Sequence, residues 1–342
     1  MLRVSAIALL LAGCPPTSSL PRGDEHLAAM ARATREYHHG RFADAATAYG
    51  EAAQHAERRV DRDEALYREA KSLARVGELQ RAIDILEGLS RERPVSRRTG
   101  RALYDAARLR LRIGDESGAI ANFKRVVIEY PDHGVASRAM HRVIEATSDP
   151  AALRAWLNHV YEVVGARDIG DDVLMQLAEM SRQDGDLEGT RAYFERVIAE
   201  HPYPHGERWD DALWRLADLD VEQGDPARAA AHLEQMLSVL ESTTTPGSYT
   251  LPRFPASMLR LGILYRDDLH DHDRAAATFQ RLYNELQFST LRDDAMLEEA
   301  QMYLAAHDTD RACALLHRVA DEFQEGRARR QAAELLGTAC TP

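Results

Sequence analysis

Lysine is almost missing from this chain: of 43 basic residues in 342, only Lys71 and Lys124 are lysine and the rest are arginine. Cysteine is equally scarce, with Cys14, Cys313 and Cys340 and no Cys-x-x-Cys spacing. That excludes a disulfide scaffold and the usual zinc or haem attachment sites. Aromatics make up 6% of the sequence, and β-branched runs are few beside alanine, leucine, arginine and glutamate. Such an alphabet leaves little from which to build a sandwich or barrel and predicts an all-α protein. The longest apolar run falls far short of the roughly 20 residues that a membrane-spanning helix needs. The net charge of −12 has the wrong sign for holding nucleic acid through its phosphates, so no nucleic-acid partner is expected. The sequence contains no nucleotide-binding glycine loop, His-Glu-x-x-His, Gly-x-Ser-x-Gly or EF-hand loop. No enzyme, no cofactor and no metal is therefore expected.

What is present begins at the amino terminus. Arg3 supplies positive charge and Val4 to Leu11 a short apolar run, the pattern of a secretory signal rather than an anchor. The run ends in Leu11-Ala12-Gly13-Cys14, which resembles the lipobox of bacterial lipoproteins. The resemblance implies that residues 1–13 are removed, that Cys14 carries lipid, and that the protein meets a membrane through that lipid. An ordinary signal peptide with an incidental cysteine is the other reading. Residues 14–23, rich in proline and serine, have no periodicity and read as a tether reaching at most about 3.1 Å per residue. Pro15 rather than aspartate follows the cysteine; in enteric lipoproteins that implies sorting to the outer membrane, facing the periplasm.

Residues 24–339 repeat. In one stretch Gly77 is followed by Ala82, Leu86 and Pro94; in the next, Gly114 is followed by Ala119, Phe123 and Pro131 at the same offsets. The register continues through Gly40, Ala45 and Tyr49 before them, and through Gly185, Phe194 and Pro202, then Gly224, Ala229 and Leu233 after them. Leu261-Gly262-x-x-Tyr265 with Ala275 and Phe279 marks a seventh unit, and Ala300, Ala312 and Leu316 an eighth. A degenerate fourth unit near 134–165 places Trp156 at the large apolar position. The large positions then fall at 49, 86, 123, 156, 194, 233, 279 and 316, about 37 residues apart. Small residues let paired helices approach, as Ala70 would Ala82 and Ala107 would Ala119. Glycine takes the turn and proline stops the second helix.

This pattern resembles the tetratricopeptide repeat, a helix–turn–helix unit. The resemblance implies a right-handed superhelical solenoid of about eight units, closed by a capping helix over Glu325 to Gly337. In that family the first helices line a concave groove through their second, fifth, ninth, twelfth and thirteenth positions. Carried onto this register, the fifth position is Tyr67, Tyr104, Met175 and Trp214. The ninth and thirteenth give Lys71, Arg75, Arg108 and Arg112 in units two and three, whereas units five and six offer Asp172, Glu179, Asp211, Asp218 and Glu222. A groove basic at one end and acidic at the other would suit a protein or peptide partner. The alternative is a set of solvated helix faces with aromatics filling the joints. The unit endings FKRVVIEYP (123–131) and FERVIAEHP (194–202), on a lipoprotein signal, resemble the tetratricopeptide lipoproteins of Gram-negative envelopes. The β-barrel assembly lipoprotein and the Tol–Pal coordinator are of that type. The implied role is a scaffold in envelope assembly, with envelope constriction, peptidoglycan coordination or a non-catalytic place in a cell-wall enzyme complex as alternatives.

Three features stand outside the repeat logic. Residues 241–255 form a long aperiodic stretch, either a functional loop or a tolerated insertion. Asp267, Asp268, His270, Asp271, His272 and Asp273 are clustered between two expected helices, where helix capping competes with cation binding and is the preferred reading. With Cys14 lipidated, Cys313 and Cys340 remain, and an antiparallel last pair would bring them to one end. A disulfide there, or two separate thiols, are both open.

Overall fold

A computed structural model describes residues 23–91, 98–239, 253–324 and 326–340. Cys14, the tether up to residue 22 and most of the 241–255 stretch lie outside them. Among the described residues there are seventeen α-helices and no strand, an all-α repeat fold. The chain divides into two compact units, Met1–Ser148 and Asp149–Pro342.

The first unit holds α1 (Asp24–His38), α2 (Phe42–Gln54), α3 (Arg59–Val76), α4 (Leu79–Arg91), α5 (Thr99–Arg112), α6 (Glu116–Glu129) and α7 (Ala136–Ala146). Each helix packs on the next. Gly77 closes α3 at φ 91, with its amide on the carbonyl of Leu73. That left-handed angle is one which only glycine adopts without strain. On either side of the turns, Ala70, Ala82, Ala107 and Ala119 have no exposed surface, and Leu86 and Phe123 have 1%. The small residues bring the helix axes together and the large ones fill the space between hairpins.

The second unit holds α8 (Pro150–Val164), α9 (Ile169–Gln183), α10 (Leu187–Glu200), α11 (Trp209–Glu222), α12 (Pro226–Leu237), α13 (Phe254–Asp267), α14 (His272–Glu285), α15 (Arg292–Ala305), α16 (Thr309–Glu322) and α17 (Arg327–Ala339). Here too each helix packs on the next, and α17 also touches α15. Gly262 lies against Phe279 so closely that a Cβ would fall within reach of the ring's own carbons, which is why α13 carries glycine at that step. The turns before α14 and α16 use His270 and His307 at positive φ in place of glycine.

A second regularity governs the helix starts. Asp115, Asp186, Asp225, Asp271 and Asp308 each cap a second helix by accepting the amide three residues on, and Asp149 caps α8 through the amide of Ala151. Eight residues after each cap comes a buried large side chain: Phe123, Phe194, Leu233, Phe279, Leu316 and, in α8, Leu157. This corrects the expectation for Trp156. The tryptophan is only partly covered, and Leu157, with no exposed surface, fills the position. No glycine precedes α8 to set the count; Asp149 with Pro150 at the first helical position sets it instead. The fourth unit is also divided, since α7 packs on α6, α8 packs on α9, and the boundary between the compact units runs between them.

Candidate functional site

In the first unit α3 and α5 lie side by side in register. Arg98, just before α5, bonds Glu64 near the start of α3. The Tyr67 hydroxyl donates to Asp105 Oδ2 at 2.7 Å in mid-helix, and Arg112 donates to the Ala74 carbonyl at 3.5 Å near the end. These links span 34 to 38 residues in sequence, one repeat each. With α1 they enclose a groove of about 610 Å³ whose lining includes Thr34, Tyr37, Tyr67, Lys71, Arg98 and Arg101.

The groove floor is internally satisfied. Burial alone would raise the Glu64 carboxyl, but hydrogen bonds from Arg98 and Arg68 outweigh it and hold Glu64 below its usual range. Tyr67 is buried and its hydroxyl is pushed up to about 12, first by burial and then by its bond to Asp105. Arg98 stacks over the Tyr67 ring at 5.0 Å. Tyr104 is 7% exposed, packed on Phe123 with ring centroids 5.4 Å apart, so it supports the groove wall and offers little surface to a ligand.

The rim differs. Lys71, Arg75, Arg108 and Arg112 are all exposed. Lys71 rests over Tyr67 at 5.8 Å and Arg75 over Phe42 at 5.6 Å. Among the described residues the nearest carboxylate to any of the four is Asp105, 4.0 Å from Arg108, and that group already bonds Tyr67 and Arg101. Two pairs at i and i+4 on α3 and α5 thus form a lattice of four positive charges at matching steps of successive first helices. Such a surface attracts carboxylates or phosphates and steers their approach.

In the second unit Glu179 is exposed and accepts from Gln183, while the other acids expected to face the groove are paired. Arg208 takes Asp172 at 2.6 Å, Arg253 takes Asp211 at 2.6 Å, Arg260 takes Asp218 at 2.7 Å and Arg182 takes Glu222 at 2.6 Å. Trp214 is half-buried, with Arg260 at 4.8 Å and Arg253 at 5.5 Å from its ring. Met175 packs partly buried against Leu174, Phe194 and their neighbours. Met175, Asp211, Trp214 and Asp218 therefore belong to a joint between successive helices: each acid meets an arginine from the adjoining first helix, and its charge is spent there.

The acidic cluster near α14 resolves into capping and pairing. Asp271 caps the helix and bonds Arg274, while Asp267 bonds Arg266 at 2.7 Å. Among the described residues no group of three or more metal-ligating side chains is assembled. Cys313 and Cys340 are joined by a disulfide with their Cα atoms 5.7 Å apart, tying α16 to the residue just after α17. The groove residues that sequence reasoning passed over are Glu64, Arg98 and Arg101. Glu64 and Arg101 occupy the second position of their units, so the same register that marks Tyr67 and Tyr104 marks them.

A family model described as tetratricopeptide repeat matches residues 30–97, 67–134 and 215–289, more than half of the chain, and another of the same description matches 172–202. No curated protein matches. Several solved structures resemble the chain at low identity. A tetratricopeptide repeat protein from Parabacteroides merdae is 17% identical, with 80% of this chain and 98% of that one covered and a TM-score of 0.34. PilW, titled a widely conserved type IV pilus biogenesis factor, is 13% identical over 70% of this chain and 100% of its own, with a TM-score of 0.41. The pilF protein of Pseudomonas aeruginosa is 12% identical over 69% and 96%, with a TM-score of 0.40.

Proposed function

Because the chain belongs to the tetratricopeptide repeat family, we propose that it is a non-catalytic scaffold that docks an acidic protein partner in the groove of its first unit. The observation that carries this reading is the lattice of Lys71, Arg75, Arg108 and Arg112. In a protein whose arginines are bonded to carboxylates at joint after joint, four adjacent cations stand exposed at matching register. We further infer the address from the sequence: Leu11-Ala12-Gly13-Cys14 would place the scaffold on lipid at the periplasmic face of a Gram-negative envelope, serving outer-membrane protein assembly or a similar process. Among the described residues no helix is long and apolar enough to cross a membrane, so attachment there would fall to the lipid.

Two variants test the two halves separately. Arg108→Glu with Arg112→Glu reverses half the lattice at exposed positions. Partners cross-linked to the wild-type protein in its own envelope should be lost while the helical content and unfolding midpoint stay the same. An unchanged partner set refutes the docking reading. Cys14→Ala should release the protein from membranes; if it stays bound, the lipid anchor is wrong and the docking reading is untouched.

A further inference from the structure

The last helix is held unlike any other. α17 buries only Ala328 and Ala332 fully, fewer residues than any other described helix, and both are alanines. Leu335 and Leu336 add partly buried surface against the same apolar cluster, which includes Met296, Ala300, Leu316 and Val319. Its start is weak as well. Gly326 offers no side-chain cap, no acid stands in the first turn, and Arg327, Arg329 and Arg330 put positive charge at the end where a helix disfavours it. A helix of 13 residues with such a start is marginal by its own propensity. At its near end α17 is joined to α16 by residues 323–326. At its far end Cys340 is bonded to Cys313, in the second turn of α16. Both cysteines are partly exposed, so a dithiol can reach the bond.

We propose that the Cys313–Cys340 bond is a redox-operated clasp on the capping helix. Closed, it holds α17 on α15 and α16 and covers the apolar end of the second unit. Opened by a dithiol reductant, it lets α17 come away and uncovers that end. α16 itself buries Ala312, Leu315, Leu316 and Val319 and stays seated when the bond opens, so the change is confined to α17. The chemistry balances between the two partners. A thiolate of the reductant attacks one sulfur of the bond and forms a mixed disulfide, and the other cysteine leaves as a thiolate that takes a proton. The reductant's second thiol then displaces the remaining cysteine. Two electrons and two protons have passed to Cys313 and Cys340, and the reductant ends as a disulfide. Exchange with an oxidising disulfide runs the same steps backwards. None of this depends on docking in the first unit.

The test uses the full chain, with dithiothreitol as reductant and oxidised glutathione as oxidant. Hydrogen exchange, limited trypsin digestion and binding of an apolar dye are the readouts. Reduction in native buffer is expected to speed exchange of the α17 amides about 100-fold or more. It should also open tryptic sites at Arg327, Arg329 and Arg330, while α13 to α16 keep their protection. The dye binds the reduced chain and not the oxidised one, and reoxidation restores the closed state. Cys313→Ser with Cys340→Ser should sit in the open state with or without dithiothreitol; a response of that variant to reductant assigns the effect to another group and overturns the clasp. So does a bond that resists dithiothreitol until the other helices unfold, an α17 that keeps its protection after reduction, or a reduced chain that binds no dye. Loss of protection throughout the second unit makes the bond a general staple and also overturns it.

Discussion

Glu87 offers the sharpest test of how the repeats are joined. Its carboxylate, on α4, is 10% exposed, accepts from Arg110 Nε on α5 at 2.6 Å and from Asn122 Nδ2 on α6 at 2.7 Å. Three successive helices thus meet at one oxygen. Removing one partner of a buried ion pair costs about 3–5 kcal/mol when the other charge is stranded. Arg110 also bonds Asp115 and is 23% exposed, so it is not stranded fully. For Glu87→Gln, which keeps an acceptor of the same shape, about 2.5 kcal/mol is therefore expected. Glu87→Leu also leaves the amide of Asn122, 6% exposed, without its acceptor, and should cost about 4 kcal/mol. Hydrogen exchange suits a repeat protein better than a single global midpoint, because stability is distributed among neighbouring repeats. Amides of α4 to α6 should exchange about 60-fold faster in Glu87→Gln at neutral pH, while those of α14 to α16 keep their rates. The pH dependence has a definite sign. Burial would raise the Glu87 carboxyl, but the bonds from Arg110 and Asn122 prevail and hold it below 4.5. Its contribution is complete above that value and disappears as pH falls through the depressed one, so wild type and variant converge in acid. Equal protection of α4 to α6 at neutral pH, or a gap that persists in acid, refutes the reasoning.

Three other outcomes follow from the packing. Gly262→Ala drives a methyl group into the Phe279 ring and should destabilise the protein by about 1–3 kcal/mol; Phe279→Leu in the same chain should recover part of that loss in a double-mutant cycle, and strict additivity would count against the contact. Replacing Cys313 and Cys340 by serine opens a loop of sequence separation 27, worth about 3.5 kcal/mol by loop entropy; exchange should accelerate in α17 and leave α3 to α6 unchanged, and unaltered protection of α17 would show that its packing suffices. Glu299 is 1% exposed and burial raises its carboxyl, despite bonds from Gln280 and Tyr283. A raised value favours the protonated folded form, so its contribution is present near pH 4 and falls as pH rises through the folded value. Glu299→Gln should therefore match wild type near pH 4 and exceed it in urea midpoint above pH 7, with the opposite trend disproving the assignment.

The contrast between what was and was not legible in the sequence follows the distance over which each interaction acts. Gly77, Ala82 and Leu86 lie within ten residues of one another, and the turn, the close approach and the filled joint are all set at that range. The aspartate caps are equally local, and counting eight from Asp149 leads to Leu157, one residue past the Trp156 that the repeat spacing suggests. Asp211 and Asp218 required more. Whether an acid faces solvent or is neutralised depends on Arg253 and Arg260, both 42 residues later on a different helix. Nothing in the spacing of the acids reveals those partners, and so a face that looks acidic in sequence is a joint in the fold. The exposure of Lys71, Arg75, Arg108 and Arg112 has the complementary reason: among the described residues no carboxylate from a neighbouring repeat pairs with them.

The same comparison explains the near absence of lysine. At joint after joint one arginine serves two kinds of neighbour at once. Arg98 bonds Glu64 while stacking on Tyr67. Arg253 bonds Asp211 while stacking on Trp214, and Arg274 bonds Asp271 while covering Tyr265 at 4.7 Å. A planar guanidinium can present its edge to a carboxylate and its face to a ring; an ammonium, being a strongly hydrated point charge, cannot do both without shedding more water. Successive helices joined by few large aromatic contacts need cations that also act as packing surface, and arginine meets that need at partly buried positions. Lys71 is an informative exception: it sits on the exposed rim, where no carboxylate must be gripped and a mobile charge is free to meet an incoming one. Arginine content thus reports how the solenoid is held together, whereas the cations left exposed on the rim report where it is open to another molecule.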